Sequence, residues 1–136
     1  MSKENKAIFK QFMEEIWNKG NLGFADEVLT SDFVNYTPGL DVKGIEAFKQ
    51  YVLGFRTAFP DLQLSINDQF GEGEKMATHW NATGTHKGEV MGIAATGNRI
   101  TLTGATITRF AGEKMAENVM CWDRLGFLEQ LGAAPK

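Results

Sequence analysis

Glu117, Val119, Cys121 and Asp123 are spaced two residues apart. In a strand, that spacing puts all four side chains on one sheet face. A carboxyl group among valine, cysteine and aromatic neighbours is poorly solvated. Desolvation would raise its pKa toward the working range of a general acid. Asp123 could then exchange a proton with a substrate carbonyl or its enol. Asp123 also precedes Arg-Leu-Gly and suits the N-cap of a terminal helix, and the two roles can coexist. Glu117 could be a second acid/base group or a polar substrate contact. An ion pair with Arg109 of the preceding strand is the favoured reading. His86 closes the run Gly84-Thr85-His86. At a strand end its imidazole could donate to a carbonyl oxygen at a pocket mouth, or sit in a surface turn. Tyr36 and Asn35 precede Pro38 on a short strand. A tyrosine hydroxyl there could orient a carbonyl oxygen, as donors in oxyanion sites do, or simply pack. Trp17, Phe33, Phe55, Trp80 and Met91 are candidate pocket walls, although aromatic stripes are more often core than ligand platform.

Other chemistries are poorly supplied. A lone cysteine, Cys121, forms no disulfide framework and no cysteine-cluster zinc site, and next to a tryptophan it reads as inert and buried. His79 and His86 are seven apart and face opposite sides of a strand, so they share no metal. A metal site is therefore not expected. No serine elbow or phosphate loop is present. Fourteen basic and seventeen acidic residues give a net charge of -3 with no basic run, which argues against nucleic acid as a partner. No apolar run approaches a membrane span of about 18 residues. The expectation is a cytoplasmic protein that meets neither membrane nor nucleic acid.

The elements that must carry these residues are readable from periodicity. Ile8, Phe9, Phe12, Met13, Ile16 and Trp17 form one helical stripe, with Ser2 suited to its start and Gly20 to its end. Asn21 suits the cap of a short second helix through about Leu29. A third helix follows Gly44, carries Ile45, Phe48, Val52, Phe55 and Phe59, and stops at Pro60. Asp32–Thr37 reads as a strand. Leu62, Leu64, Ile66 and Phe70 alternate with polar residues as a half-buried strand, and Gly71-Glu72-Gly73-Glu74 turns it back. Lys75–His86, Ile100–Phe110 and Lys114–Asp123 complete the strands, and Arg124–Leu131 is a brief helix. Helices first and antiparallel strands afterwards give one α+β domain over 1–136. Seven of the ten phenylalanines precede Pro60, and they are expected between helices and sheet.

The phrases Asp32-Phe33-Val34-Asn35-Tyr36-Thr37-Pro38, Ala58-Phe59-Pro60-Asp61-Leu62, Gly84-Thr85-His86-Lys87-Gly88, Ala95-Thr96-Gly97-Asn98-Arg99 and Trp122-Asp123-Arg124-Leu125-Gly126 occur in that order. With Glu117 and the closing Gln130-Leu131-Gly132, they resemble the SnoaL-like polyketide cyclase group of the nuclear-transport-factor-2-like superfamily, over nearly the whole chain. The resemblance implies a conical fold, with three N-terminal helices on a strongly curved, mainly antiparallel sheet around a deep pocket. It implies a homodimer packed through the sheet. It also implies cofactor-free aldol-type cyclisation of a hydrophobic carbonyl compound, with Asp123 at the acid/base position. Two positions depart from the group: Val119 where tryptophan is frequent, and Tyr36 where histidine is frequent. Both imply a different pocket lining. A non-catalytic protein binding a small hydrophobic ligand is the alternative.

Overall fold

The computed structural model describes residues 3–133. Ser2, the expected first cap, lies outside them. Helix α1 (Lys3–Phe12) runs on into a wider π-helical stretch, Met13–Asn18. That widening turns Phe12, Met13, Ile16 and Trp17 all toward the core. Gly20, at φ +74°, ends the stretch in the left-handed conformation that glycine adopts without strain. Arg56 then donates to the carbonyls of Trp17 (2.6 Å) and Asn18 (2.8 Å), which the helix leaves without partners.

A 3₁₀ turn (Leu22–Phe24) leads into α2 (Ala25–Val28). Asn21 precedes that turn, but its side chain makes no cap bond and instead reaches Glu15 at 3.4 Å. Strand β1 (Leu29–Thr37) starts earlier than the sequence suggests. A turn at Pro38-Gly39 folds it onto β2 (Leu40–Lys43), a strand too short and polar to show in the pattern. Helix α3 (Ile45–Ala58) buries Phe48 and Val52 and half-buries Phe55. Four strands follow: β3 (Gln63–Glu72), β4 (Lys75–Thr85), β5 (Arg99–Ala111) and β6 (Lys114–Trp122). Helix α4 (Arg124–Gln130) closes the described chain.

The six strands form one sheet in the order β2-β1-β6-β5-β4-β3. All neighbours are antiparallel except β1 and β6, which run parallel. The architecture is therefore α+β with a mixed, mainly antiparallel sheet. Register shifts interrupt β1, β3 and the β5–β6 pair, and such bulges bend a strand and increase its twist.

The core fills the space between α1, α3 and the inner sheet face. Phe12, Phe33, Phe48, Tyr51, Trp17 and Phe55 form a continuous aromatic contact chain there. The shift between Ile66 and Asp68 reverses the alternation in β3. Gln69 consequently turns in to donate to Thr78, while Phe70, expected on the buried side, is 65% exposed. β3 is an edge strand, and Asn18 covers part of its edge. The Asn18 amide accepts from Leu64 N–H (2.7 Å) and donates to Leu64 C=O (2.9 Å), as a neighbouring strand would. No helix among the described residues is long and apolar enough to cross a membrane.

Candidate functional site

The inner face of the sheet carries a cavity. Strand pairing sets Trp80 of β4, Gly104 of β5 and Trp122 of β6 in one row. A side chain at Gly104 would collide with the Trp80 ring, so glycine here is what lets the indole lie across the strand. The Trp80 Nε1–H donates to Thr106 (2.9 Å), and the Trp122 Nε1–H donates to Thr37 (2.8 Å). Both indoles are thereby fixed in orientation, Trp80 across Gly104 and Trp122 edge-on to Phe55 and Phe127. Trp17, Tyr51 and Phe55 close the helical side, and Leu62, Leu64, Ala82, Leu102 and Met120 complete the wall. The space between them is about 50 Å³ and opens toward one side. Cavities of about 150 Å³ accept benzene, so this one admits the tip of a ligand rather than a whole ring.

Tyr51, Phe55 and Trp122 also line an open mouth of about 250 Å³, with Thr37, Pro38, Gly39, Leu40, Met91 and Arg124. The three shared residues form a collar between mouth and cavity. On the opposite side Trp17, Leu64, Trp80 and Met120 separate the cavity from a deeper void of about 10 Å³. That void meets a polar floor of Asn35, Thr106 and Asn118. Asn118 accepts from Thr108 (2.6 Å), whereas both amide atoms of fully buried Asn35 are without partners. Unsatisfied buried polar atoms are rare and costly, and here they sit at the bottom of a site.

The cavity wall carries a single ionisable group, Tyr51. Burial pushes its phenol pKa above the ordinary tyrosine value, and a long contact to Thr37 (3.4 Å) offsets this in part. Tyr51 is therefore a neutral O–H donor at neutral pH.

The residues singled out in the sequence divide into three sets. Trp17, Phe55 and Trp80 stand on the cavity wall, Met91 on the mouth and Asn35 on the deep floor. Phe33 faces the same side but is core, fully buried edge-on to Phe48. The others lie elsewhere. Tyr36 pairs with Val119, which pairs with exposed Ile107, so Tyr36 belongs to the outer face. Glu117 shares that face and lies 3.8 Å from Arg109, as the ion-pair reading expects. Cys121 is exposed there too, not buried. Asp123 is exposed, and its carboxylate accepts from Gly126 N–H (2.8 Å) as the N-cap of α4. The desolvated setting expected of it is absent, because the face it continues is the outer one.

His86 is neither at the mouth nor on the surface. It is fully buried, stacked on Phe59 with ring centroids 5.3 Å apart. Its Nδ1 lies 2.9 Å from the Thr96 hydroxyl and 3.2 Å from Thr96 N, while its buried Nε2 has no partner. Its backbone bonds Asn98 and Gly97, so the residue ties down the loop that carries Met91. The clearest residues missed by sequence reasoning are Tyr51, Met120 and Trp122. Tyr51 follows Phe48 by three and precedes Phe55 by four, a helical spacing that could have found it. Among the described residues no cluster of three or more metal-ligating side chains occurs.

The SnoaL-like polyketide cyclase family model matches residues 7–131. The chain belongs to this family. Among solved structures, a candidate polyketide cyclase of Acidithiobacillus ferrooxidans is 30% identical, with TM-score 0.85 and 99% of each chain covered. AclR of Streptomyces galilaeus, a candidate hydroxylase, is 29% identical with TM-score 0.83, over 98% of this chain and 87% of its own. A SnoaL-like protein of Jannaschia shares the fold at TM-score 0.90 and 20% identity, over 99% of this chain and 98% of its own. No curated protein matches significantly. These relatives carry more than one described activity on one fold, so the reaction of this SnoaL-like domain has to be argued from its own cavity.

Proposed function

We propose that this SnoaL-like domain binds a hydrophobic, carbonyl-bearing small molecule across the collar of Tyr51, Phe55 and Trp122, and promotes acid/base chemistry on it of the aldol-cyclisation type. The observation that supports this is the cavity wall: aromatic and aliphatic throughout, with one neutral hydroxyl, that of Tyr51, held only by a long bond to Thr37 at the mouth. An apolar wall with few polar groups is how small-molecule sites bind and orient. The body of the ligand rests in the mouth and its apolar tip enters the cavity. The Tyr51 O–H donates to a carbonyl oxygen and stabilises charge developing there. A tip long enough to pass Trp80 and Met120 meets the free amide of Asn35. The aromatic walls hold a flexible chain near its ring-closing conformer. The proton acceptor in this reading is Asp123, which follows the collar's Trp122 but lines neither cavity nor mouth, so to act it has to leave Gly126 N–H and turn inward.

A second reading is a ligand carrier without turnover. It is favoured by the cap itself: Asp123 is engaged, and no carboxylate or imidazole stands on the cavity wall. Asp123→Asn separates the two, because asparagine caps a helix about as well as aspartate and only the proton chemistry is lost. Turnover of a poly-β-carbonyl substrate that vanishes while ligand quenching of tryptophan fluorescence persists supports the enzyme. Turnover that survives excludes Asp123 as the base, and absence of turnover in the parent protein supports the carrier. We also propose a homodimer through the outer sheet face, where Phe70 and Ile107 are exposed beside Ala77.

A further inference from the structure

The mouth of the site has a charge that the cavity lacks. Of the four arginines, three are engaged. Arg56 binds the carbonyls of Trp17 and Asn18, Arg99 lies 3.9 Å from Asp61, and Arg109 lies 3.8 Å from Glu117. Arg124 has no hydrogen-bond or ion-pair partner among the described residues. It lines the mouth, where every other lining residue is uncharged. Its neighbour Asp123 is turned to Gly126.

The turn opposite is shaped to receive the guanidinium. Gly39 has φ +81°, and a Cβ built on it would collide with Arg124 Nη1. A glycine there lets the guanidinium lie against the backbone between β1 and β2. The planar fork thus stands at the rim, unpaired, beside an apolar collar that begins with Trp122 and Tyr51. A ligand that satisfies both has an apolar body and one anionic end.

We infer that Arg124 is an anion-recognition residue of this pocket, and that the ligand class is an amphipathic acid: an aromatic or alicyclic body seated on the collar, with a carboxylate or equivalent oxyanion bound at the rim by Arg124. This rests on the collar being the ligand site, as proposed above. The anion end fixes which end of the molecule enters the cavity, so Arg124 sets orientation as well as affinity. The bidentate geometry of a guanidinium suits a planar carboxylate or a sulfonate.

The test uses two fluorescent probes that differ by one sulfonate group, anilinonaphthalene sulfonate and its uncharged parent phenylnaphthylamine. The parent protein is expected to bind the sulfonate more tightly, and high salt is expected to reduce that preference. Arg124→Gln is expected to weaken the sulfonate about five- to tenfold and leave the uncharged probe unchanged, while Arg124→Lys keeps part of the preference. The uncharged probe serves as the folding control. If Arg124→Gln leaves both affinities unchanged, the charge assignment fails and the pocket stands. A fall of both probes together signals a role in shape and also overturns it. Loss of sulfonate binding in Phe70→Asp would place that probe on the outer sheet face and would overturn the assignment too. If neither probe binds the parent protein, the collar is not a ligand site and both readings fall.

Discussion

Gly104→Ala tests the arrangement of the cavity most directly. In an ordinary strand this change favours the variant, since glycine costs about 0.5–1 kcal/mol relative to alanine. Here a Cβ would stand 2.5 Å from Trp80 Cζ2, 2.7 Å from Cη2 and 2.8 Å from the Cys121 carbonyl oxygen. The carbonyl belongs to the neighbouring strand and cannot withdraw, so the indole must. Overpacking of a core costs about 1–3 kcal/mol. Moving the ring also loosens the Trp80–Thr106 hydrogen bond, worth about 0.5–1.5 kcal/mol. The steric terms outweigh the backbone gain and leave a net loss of about 1–3 kcal/mol. For a domain of this size about 3–4 °C of Tm corresponds to each kcal/mol, so a fall of about 3–12 °C is expected by calorimetry or circular dichroism. The near-ultraviolet tryptophan bands should change as well, and the displaced ring should narrow the cavity and weaken ligand quenching. A variant as stable as the parent, with unchanged bands, would refute the packing of Trp80 over Gly104.

Three further outcomes follow from other parts of the molecule. Asn18→Ala removes both side-chain bonds to Leu64 and is expected to cost about 1–3 kcal/mol in urea unfolding, since it strips two part-buried backbone groups of their partners. An unchanged urea midpoint would show that the edge of β3 is satisfied by water. In an absorbance titration of the phenolate, Tyr51 should ionise above the ordinary tyrosine value because burial raises its pKa. For a raised group the stabilisation is present below the unfolded-state value and lost as pH rises through the folded-state one. Native protein should therefore weaken on the alkaline side of about 10, and loss of the high-pH phase in Tyr51→Phe assigns it. Two tyrosines ionising together near that value would disprove the burial. Ile107→Asp, on the outer face, is expected to shift sedimentation equilibrium from dimer to monomer with little change in the cavity, and a parent protein that sediments as a monomer would dismiss the interface.

Much of the architecture was legible because helices announce themselves over long windows. The stripe from Ile8 to Trp17 and the run from Ile45 to Phe59 each repeat an apolar pattern several times. So Trp17 and Phe55 were placed toward the interior, and Trp80 followed from its alternation with Ala82. The site was less legible because alternation tells which residues share a face and not which face is inside. On β6 the set Glu117, Val119, Cys121 is the outer one, and the inner set is Asn118, Met120, Trp122. A register shift in β6 leaves adjacent Met115 and Ala116 both buried, which breaks the phase from which the choice would be made. The same effect at Asn67 exposed Phe70. Tyr36 and Asn35 were weighed together, yet neighbours on a strand cannot both enter one pocket. His86 read as a pocket-mouth donor or a surface-turn residue because its partners, Thr96 and Asn98, come from a loop whose path no local pattern encodes.

The parallel seam between β1 and β6 has a consequence for how the molecule is made. On one side of it lie β1, β2 and α3, joined by short connections. On the other lie β3 to β6, each antiparallel to the next. The seam joins residues such as Thr37 and Trp122, 85 positions apart. Contacts this distant in the chain demand the largest loop closure and come late in folding. The cavity wall takes Tyr51 and Phe55 from the first block and Trp80, Leu102, Met120 and Trp122 from the second. A chain emerging from the ribosome can thus pair most of its strands while still holding an open aromatic trough. Only when β6 is released and docks does the trough become a chamber, so until then its exposed aromatic surface is a point where aggregation competes with folding.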